Sequence, residues 1–352
     1  MFWRLFRLFY KENFSFKRFL GFDYKKERIK SVLIIAAILY ALLAFIGSFG
    51  YMFFDLGKML LAMNQLHIII SFITAYAISI AIMFVLFRAD GMIFHYQDYD
   101  ILAPLPINTR VVLGAKIAVL YLMTTILTIL ISLPMAFAYF YFSGFHILSF
   151  ISYVVGLLVL PLIPIVLMSF VSLLIKTISN KFKYSKLISI FLVFAVFIGF
   201  FIWSFSMADV EQNPLTGQID LLATLSRFYL PRDWYMRAVH QREVLPLLYL
   251  ISSHLLIFGI YFLGIGPLVN HTNQNQTSMR LSKTNKTVKY QTRSIYSSLL
   301  AKEFRKFFSV TIYAVNAGLG PVILIVLSVA SLFYRNEISG FMTEMVGFDL
   351  KI

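Results

Sequence analysis

The chain has 352 residues, 60% of them apolar and only 13% charged, with a mean hydropathy of +0.81. A water-soluble domain of this length needs far more surface charge, and repeated apolar runs of about 20 residues or more identify a polytopic helical membrane protein instead. The formal net charge of +15 follows membrane topology rather than a nucleic-acid footprint, and the absence of Cys excludes disulfides and thiolate metal sites.

Residues 1–30, MFWRLFRLFYKENFSFKRFLGFDYKKERIK, interleave Phe, Trp, Leu and Tyr with nine Lys/Arg and three acids, the pattern of an amphipathic helix in a membrane interface. The segment is too charged for a secretory n-region. The apolar run after it is too long for an h-region and lacks an A-x-A cleavage site, so the first span is expected to stay in the mature protein.

Seven spans are predicted, at about 31–54, 66–87, 114–142, 147–175, 187–207, 244–269 and 311–334, each long enough to cross about 30 Å of hydrocarbon. Tyr51, Trp203, Trp234 and Tyr334 sit near span ends as interfacial anchors. With the N-terminus inside, segments 1–30, 88–116, 176–186 and 270–309 hold 24 of the 31 Lys and Arg but seven of the 16 acids. That asymmetry predicts a cytoplasmic N-terminus.

Between spans two and three lies HYQDYDILAPLPINTR, 95–110, too rich in Asp and Pro to be membrane helix. Asp98 and Asp100 suit a helix cap, Pro104 and Pro106 stiffen an extended arm, and Asn108 or Thr109 caps the helix that enters span three. Ile101, Leu102 and Leu105 add apolar side chains, so the loop reads as a rigid docking surface, against the alternative of a passive structured turn. Within the spans, Pro134, Pro161 and Pro164 mark kinks, and the pair in PLIPIVLMS loosens one helix face. The segment 208–243 is the longest on the outer side and predicts one or two short helices on the outer leaflet, interrupted at Pro231. Residues 270–298 read as a polar, basic, flexible cytoplasmic linker, and GIGP at 264–267 as a helix terminus. From 299 the pattern restarts: LLAKEFRKFFSVTIYAVNAGLGPVILIVLSVASLF repeats the basic-aromatic helix and span of residues 1–54, as in bundles built from repeats.

The sequence contains no G-x-x-x-x-G-K-[ST], no H-E-x-x-H and no G-x-S-x-G, and its six His, at 67, 95, 146, 240, 254 and 271, show no metal-ligand spacing. His254 is the clearest ionisable group at mid-span; the competing reading is a neutral His bonded through Ser252 or Ser253. So few buried charges argue against a proton- or sodium-driven carrier.

DYDILAPLPINTRVVLGAKI and KEFRKFF, with the basic-aromatic N-terminus, resemble the permease subunits of ABC-2-type exporters: an acidic residue before a Leu-x-x-Leu-Pro-[Ile/Val] run, and an elbow helix. The resemblance covers the whole chain in topology and specific motifs at about 95–117 and 299–321. It implies an all-α membrane bundle with amphipathic elbow helices and a separate cytoplasmic ABC ATPase as partner. No cofactor would be bound by this chain, ATP acting through the partner. Asp98, Tyr99, Asp100, Leu102, Pro104, Leu105 and Pro106 would then be coupling-loop positions, and Lys302, Glu303, Phe304, Arg305 and Lys306 the elbow helix. Membrane lipids and a second permease half, as a homodimer or a fused chain, are further implied partners, and nucleic acid is not. Six spans per unit is the family's usual count, so seven imply a fused double permease or a truncated chain. Two other classes compete. One is a membrane-embedded enzyme on lipid or lipid-linked substrates, using Asp209, Glu211, Arg227, Arg232, Asp233 and Arg237 of the outer segment. The other is a secondary carrier.

Overall fold

The computed structural model of the chain describes residues 1–14, 27–93, 107–182, 185–206, 229–284, 294–307 and 320–325, with positions 314, 317–318, 328 and 331. The side chains of 90–91, 200–206, 270–284 and 305–306 lie outside that description. All regular structure among the described residues is helical: α1 (Phe2–Asn13), α2 (Arg28–Ala62), α3 (Ile68–Met92), α4 (Thr109–Ser143), α5 (Ile147–Val159), α6 (Leu162–Asn180), α7 (Ser185–Ser206), α8 (Pro231–Met236) running into a π-helical turn (Arg237–Gln241), α9 (Val244–Thr284) and α10 (Ile295–Phe307).

Five stretches are long and apolar enough to cross a bilayer: Arg28–Ala62, Ile68–Ala89, Thr109–Ser143, Ile147–Asn180 and Val244–Val269. They coincide with expected spans one to four and six. The expected fifth span, 187–207, falls on α7, whose described apolar part is the shorter Ser185–Gly199. Of the expected seventh, 311–334, the described part is 320–325 with a few positions on either side.

Two features differ from expectation. The GIGP stretch does not end a helix, since Pro267 lies inside α9; a Pro is tolerated in a membrane helix when its surroundings satisfy the freed carbonyl. Beyond the span, α9 runs on to Thr284 through residues expected as flexible linker. Extending an existing helix by one residue fixes only one more pair of dihedrals per hydrogen bond, so a polar sequence can continue what an apolar one nucleated. The fourth span, by contrast, is broken at residues 160–161, where α5 ends, and α6 begins at Leu162 just after Pro161 with Pro164 in its first turn. A ring nitrogen without N–H is tolerated there, because first-turn amides have no intrahelical partner.

The chain divides into two compact units, Met1–Thr177 with Ser204–Thr287, and Ile178–Trp203 with Val288–Ile352. In the first unit α4 is the central element. Asn108 caps it, its extended backbone placing Oδ1 2.9 Å from the Arg110 N–H, and Gly144 ends it at φ 76°. Lipid is as apolar as Leu, so helices in a bilayer associate through close packing rather than through the hydrophobic effect. Small residues provide it here: a Cβ on Gly57 would come 2.7 Å from the Phe142 ring, and one on Gly114 3.1 Å from Phe262. Two buried clusters result. One gathers Phe53, Ile69, Ile73, Tyr139, Tyr153 and Tyr235 toward the end that carries the turns at 63–67 and 144–146, hereafter the turn end. The other gathers Leu5, Phe9, Ala89, Leu113, Ile117 and Ile265 toward the end where α1 docks. In the second unit, Ile190, Val193 and Phe197 of α7 are buried, and the Gly318 backbone packs on the Phe194 ring.

Amphipathic α1 turns Leu5 and Phe9 into the bundle and leaves Trp3 75% exposed. Phe2, Phe6, Tyr10 and Phe14 stack along it with successive ring centroids 6.3, 6.2 and 4.5 Å apart. The Lys116 ammonium of α4 lies 5.3 Å from the Phe9 ring centroid, and Arg88 of α3 reaches the Asn13 side-chain oxygen at 3.5 Å.

Candidate functional site

The coupling-loop positions Asp98, Tyr99, Asp100, Leu102, Pro104, Leu105 and Pro106 lie outside the described residues, as do Asp209, Glu211 and Arg227. Of the elbow positions, Lys302, Glu303 and Phe304 sit exposed on α10, which also carries Arg305 and Lys306. The described chemistry gathers instead at the turn end, around residues 229–243.

The sequence here folds by local rules. Pro231 opens α8 rather than interrupting it, because its fixed φ suits the first helical position and its missing N–H would have been unpaired there anyway. Asp233 in the first turn complements the helix dipole. After Met236 the backbone widens into a π-helical turn, which ends at Arg242 in the left-handed conformation, φ 63°. The turn is clamped by Arg237, whose Nη2 donates to Glu243 Oε2 at 2.6 Å. A π turn takes in more residues than an α turn and so changes which side chains face inward.

The segment does not lie on the surface as a solvated helix would. Tyr235, Ala238 and Val239 are fully buried. The Tyr235 hydroxyl donates to the Tyr153 carbonyl at 3.0 Å, and the Tyr153 hydroxyl donates to Ser132 Oγ at 3.1 Å. Burial pushes the Tyr235 phenol well above its ordinary value, with the neighbouring Tyr153 and Tyr139 acting in the same direction, so it remains a neutral donor. Tyr229 is likewise pushed up by burial. Its hydroxyl meets His254 Nε2 at 3.1 Å, while His254 Nδ1 lies 2.8 Å from the Leu250 carbonyl. A carbonyl only accepts, so Nδ1 carries the proton and Nε2 accepts from Tyr229. His254 is therefore a fully bonded clasp between 229 and α9, reached mainly through Leu250 and Tyr229, with Ser253 a longer neighbour at 3.4 Å.

Next to this plug stands a basic cluster. The rings of His67, preceding α3, and His240, in the π turn, have centroids 5.7 Å apart, and His240 Nδ1 lies 3.0 Å from the Tyr139 hydroxyl. Arg232 donates through Nη2 to Ser71 Oγ at 2.9 Å, stands 3.8 Å from Asp233, and keeps a buried Nε with no hydrogen-bond partner among the described residues. Burial lowers the affinity of His67 for a proton and the Arg232 charge lowers it further; for His240, burial is followed by His67 and Arg242. Asp233 and Glu243 are each already matched to an arginine. Among the described residues no three His, Cys, Asp or Glu converge as metal ligands. The arrangement suits recognition of negative charge rather than coordination of a cation.

Sequence reasoning named Arg232, Asp233 and Arg237 here but not His67, His240, Tyr139, Ser71 or Arg242. A signal existed: His67 lies at the very start of one predicted span and His240 just before another, on the same predicted side. Comparison of the chain with protein-family models, curated proteins and solved structures finds no match.

Proposed function

We propose that the chain is the membrane-spanning subunit of an ATP-driven, ABC-type exporter of the cell membrane, with seven spans, a cytoplasmic N-terminus and a separate cytoplasmic ATPase as its motor. The observation that carries this reading is the platform at the α1 end. Leu5 and Phe9 of α1, Met92 and Ile93 at the end of α3, and Leu113 at the start of α4 share one buried cluster. Ile93 and Ile107, the described residues on either side of the expected coupling loop, therefore both pack in the cluster that holds this amphipathic helix. A force applied at those two points would enter α3 and α4 directly. The missing P-loop in the sequence leaves the motor to a partner.

Affinity purification of the chain from its own membranes tests the reading. A stoichiometric P-loop ATPase is expected, lost when Asp98 and Asp100 are both reversed to Lys; a gently prepared complex without any ATPase overturns it. Orientation is tested separately, because the chain contains no Cys. With single replacements Asn64→Cys and Ser294→Cys, an impermeant maleimide added to intact cells should label position 64 alone. The second reading is a membrane-embedded enzyme acting on lipid or lipid-linked substrates. It is favoured by the convergence of His67, His240 and Arg232, and is the one an ATPase-free preparation would select. A secondary carrier gains no support from His254, whose ring nitrogens are both engaged.

A further inference from the structure

We propose that His67, His240 and Arg232 form a binding site for a phosphate group at the turn end of the bundle. This inference is independent of the ATPase reading, because it concerns the opposite end of the first unit and a binding equilibrium rather than transport.

Three elements converge on the site. The turn before α3 supplies His67 and its first turn Ser71, α4 supplies Tyr139, and the 229–243 segment supplies Arg232 and His240. Their charges do not balance. Asp233 stands against Arg232 at 3.8 Å and Glu243 against Arg237 at 2.6 Å, so both local acids are matched. Two histidine rings with centroids 5.7 Å apart add two more positive charges when protonated, which no described carboxylate compensates. The buried Arg232 Nε adds a donor without an acceptor. A buried polar group is normally paired, and an unpaired donor on a cation is among the most expensive to leave so. One acceptor-rich anion would satisfy both the donor and the charge.

A phosphate group fits this requirement in number and in acidity. It presents several acceptor oxygens and forms short charge-assisted bonds with guanidinium and imidazolium donors. A monoester or inorganic phosphate keeps at least one full negative charge over the whole range in which histidines titrate. Anion binding and protonation of His67 and His240 should therefore support one another, and affinity should rise as pH falls. The Tyr139 hydroxyl remains beside His240 as a neutral hydrogen-bonding group. The phosphate is supplied either by a lipid headgroup or by a soluble anion, since the site lies at the end of the spans.

The test uses the full chain in phosphatidylcholine nanodiscs, titrated with inorganic phosphate and followed calorimetrically. Saturable binding is expected, tighter at about pH 6 than at about pH 8. Arg232→Gln removes the guanidinium and should weaken binding by about tenfold, the scale of one lost charge-assisted bond. His67→Gln with His240→Gln should remove the rise in affinity toward acid. Repeating the titration with phosphatidic acid in the nanodisc distinguishes the sources: competition assigns the site to a lipid headgroup, and unchanged affinity assigns it to a soluble anion. Equal binding by wild type and both variants overturns the proposal, as does a wild type that binds no phosphate at either pH. So does binding that emerges only after Asp209, Glu211 and Asp220 are replaced together by amides, which would make the occupant the chain's own carboxylates.

Discussion

The ring of Tyr235 lies against the backbone of Gly156, so close that a Cβ at 156 would overlap it. This contact seats the 229–243 plug on α5, and the Tyr235 hydroxyl completes it by bonding the Tyr153 carbonyl at 3.0 Å. Gly156→Ala must therefore displace a fully buried aromatic ring. Overpacking of this kind costs about 1–3 kcal/mol, read as a lower unfolding midpoint in detergent. Tyr235→Ala removes the ring that Gly156→Ala would strike, so the two changes should be less than additive. Additive losses would mean that ring and backbone do not meet.

Tyr229 and His254 form the second fastening of the plug. Tyr229→Phe leaves His254 Nε2 without its donor inside a membrane helix, at an expected loss of about 1–3 kcal/mol. Adding His254→Leu removes the stranded acceptor together with its need, so the double variant should recover part of the loss. A double-mutant cycle in chemical denaturation checks this. A coupling energy of zero would show that the 3.1 Å contact contributes nothing.

The histidine pair predicts an acid-sensitive stability. His67 and His240 both have folded proton affinities below the ordinary value of 6.5, from burial first and then from neighbouring positive charge. Well above 6.5 neither folded nor unfolded chain is protonated there, and the pair has no effect on folding. As pH falls through 6.5 toward the depressed folded values, the unfolded chain takes up protons that the folded chain resists, so stability drops. Thermal unfolding in phosphate-free buffer should show a lower midpoint at about pH 5 than at about pH 7.5. His67→Gln with His240→Gln should flatten that slope. A slope identical to wild type would place the acid sensitivity elsewhere.

Five of the seven expected spans were legible because a run such as IIISFITAYAISIAIMFVLF permits no other solvent than lipid, and the Asn108 cap because a short acceptor preceded the apolar helix. Pro161 likewise announced a break that the helix makes at 160–161. The plug was not legible. Trp234, Tyr235 and Met236 read equally well as interfacial anchors, and only Gly156, distant in sequence, makes a slot for Tyr235. Nor has a π turn any composition of its own, since Arg-Ala-Val-His-Gln would serve in an ordinary helix. The basic cluster depends on that turn, because His240 meets His67 and Tyr139 only from the position it sets. Local patterns carried information about what each segment touches in the bilayer, and little about which distant side chains it meets.

Helix α1 offers the last prediction. Its amphipathic pattern shows only that one face avoids water, which an interfacial helix and a docked helix share. Leu5 and Phe9 are buried against the bundle, and Phe9 also lies under the Lys116 ammonium at 5.3 Å, whereas Trp3 is 75% exposed. Phe9→Ala removes both a packed ring and the face that the cation covers, at a loss of about 3 kcal/mol or more for a buried Phe. Such a loss should release α1 locally without unfolding the spans. Hydrogen–deuterium exchange over residues 2–13 should accelerate in Phe9→Ala and stay at the wild-type rate in Trp3→Ala, with exchange in α4 unchanged in both. Equal acceleration in the two variants would mean that α1 is held by lipid alone, and the platform beside residues 94–106 would then lose its support.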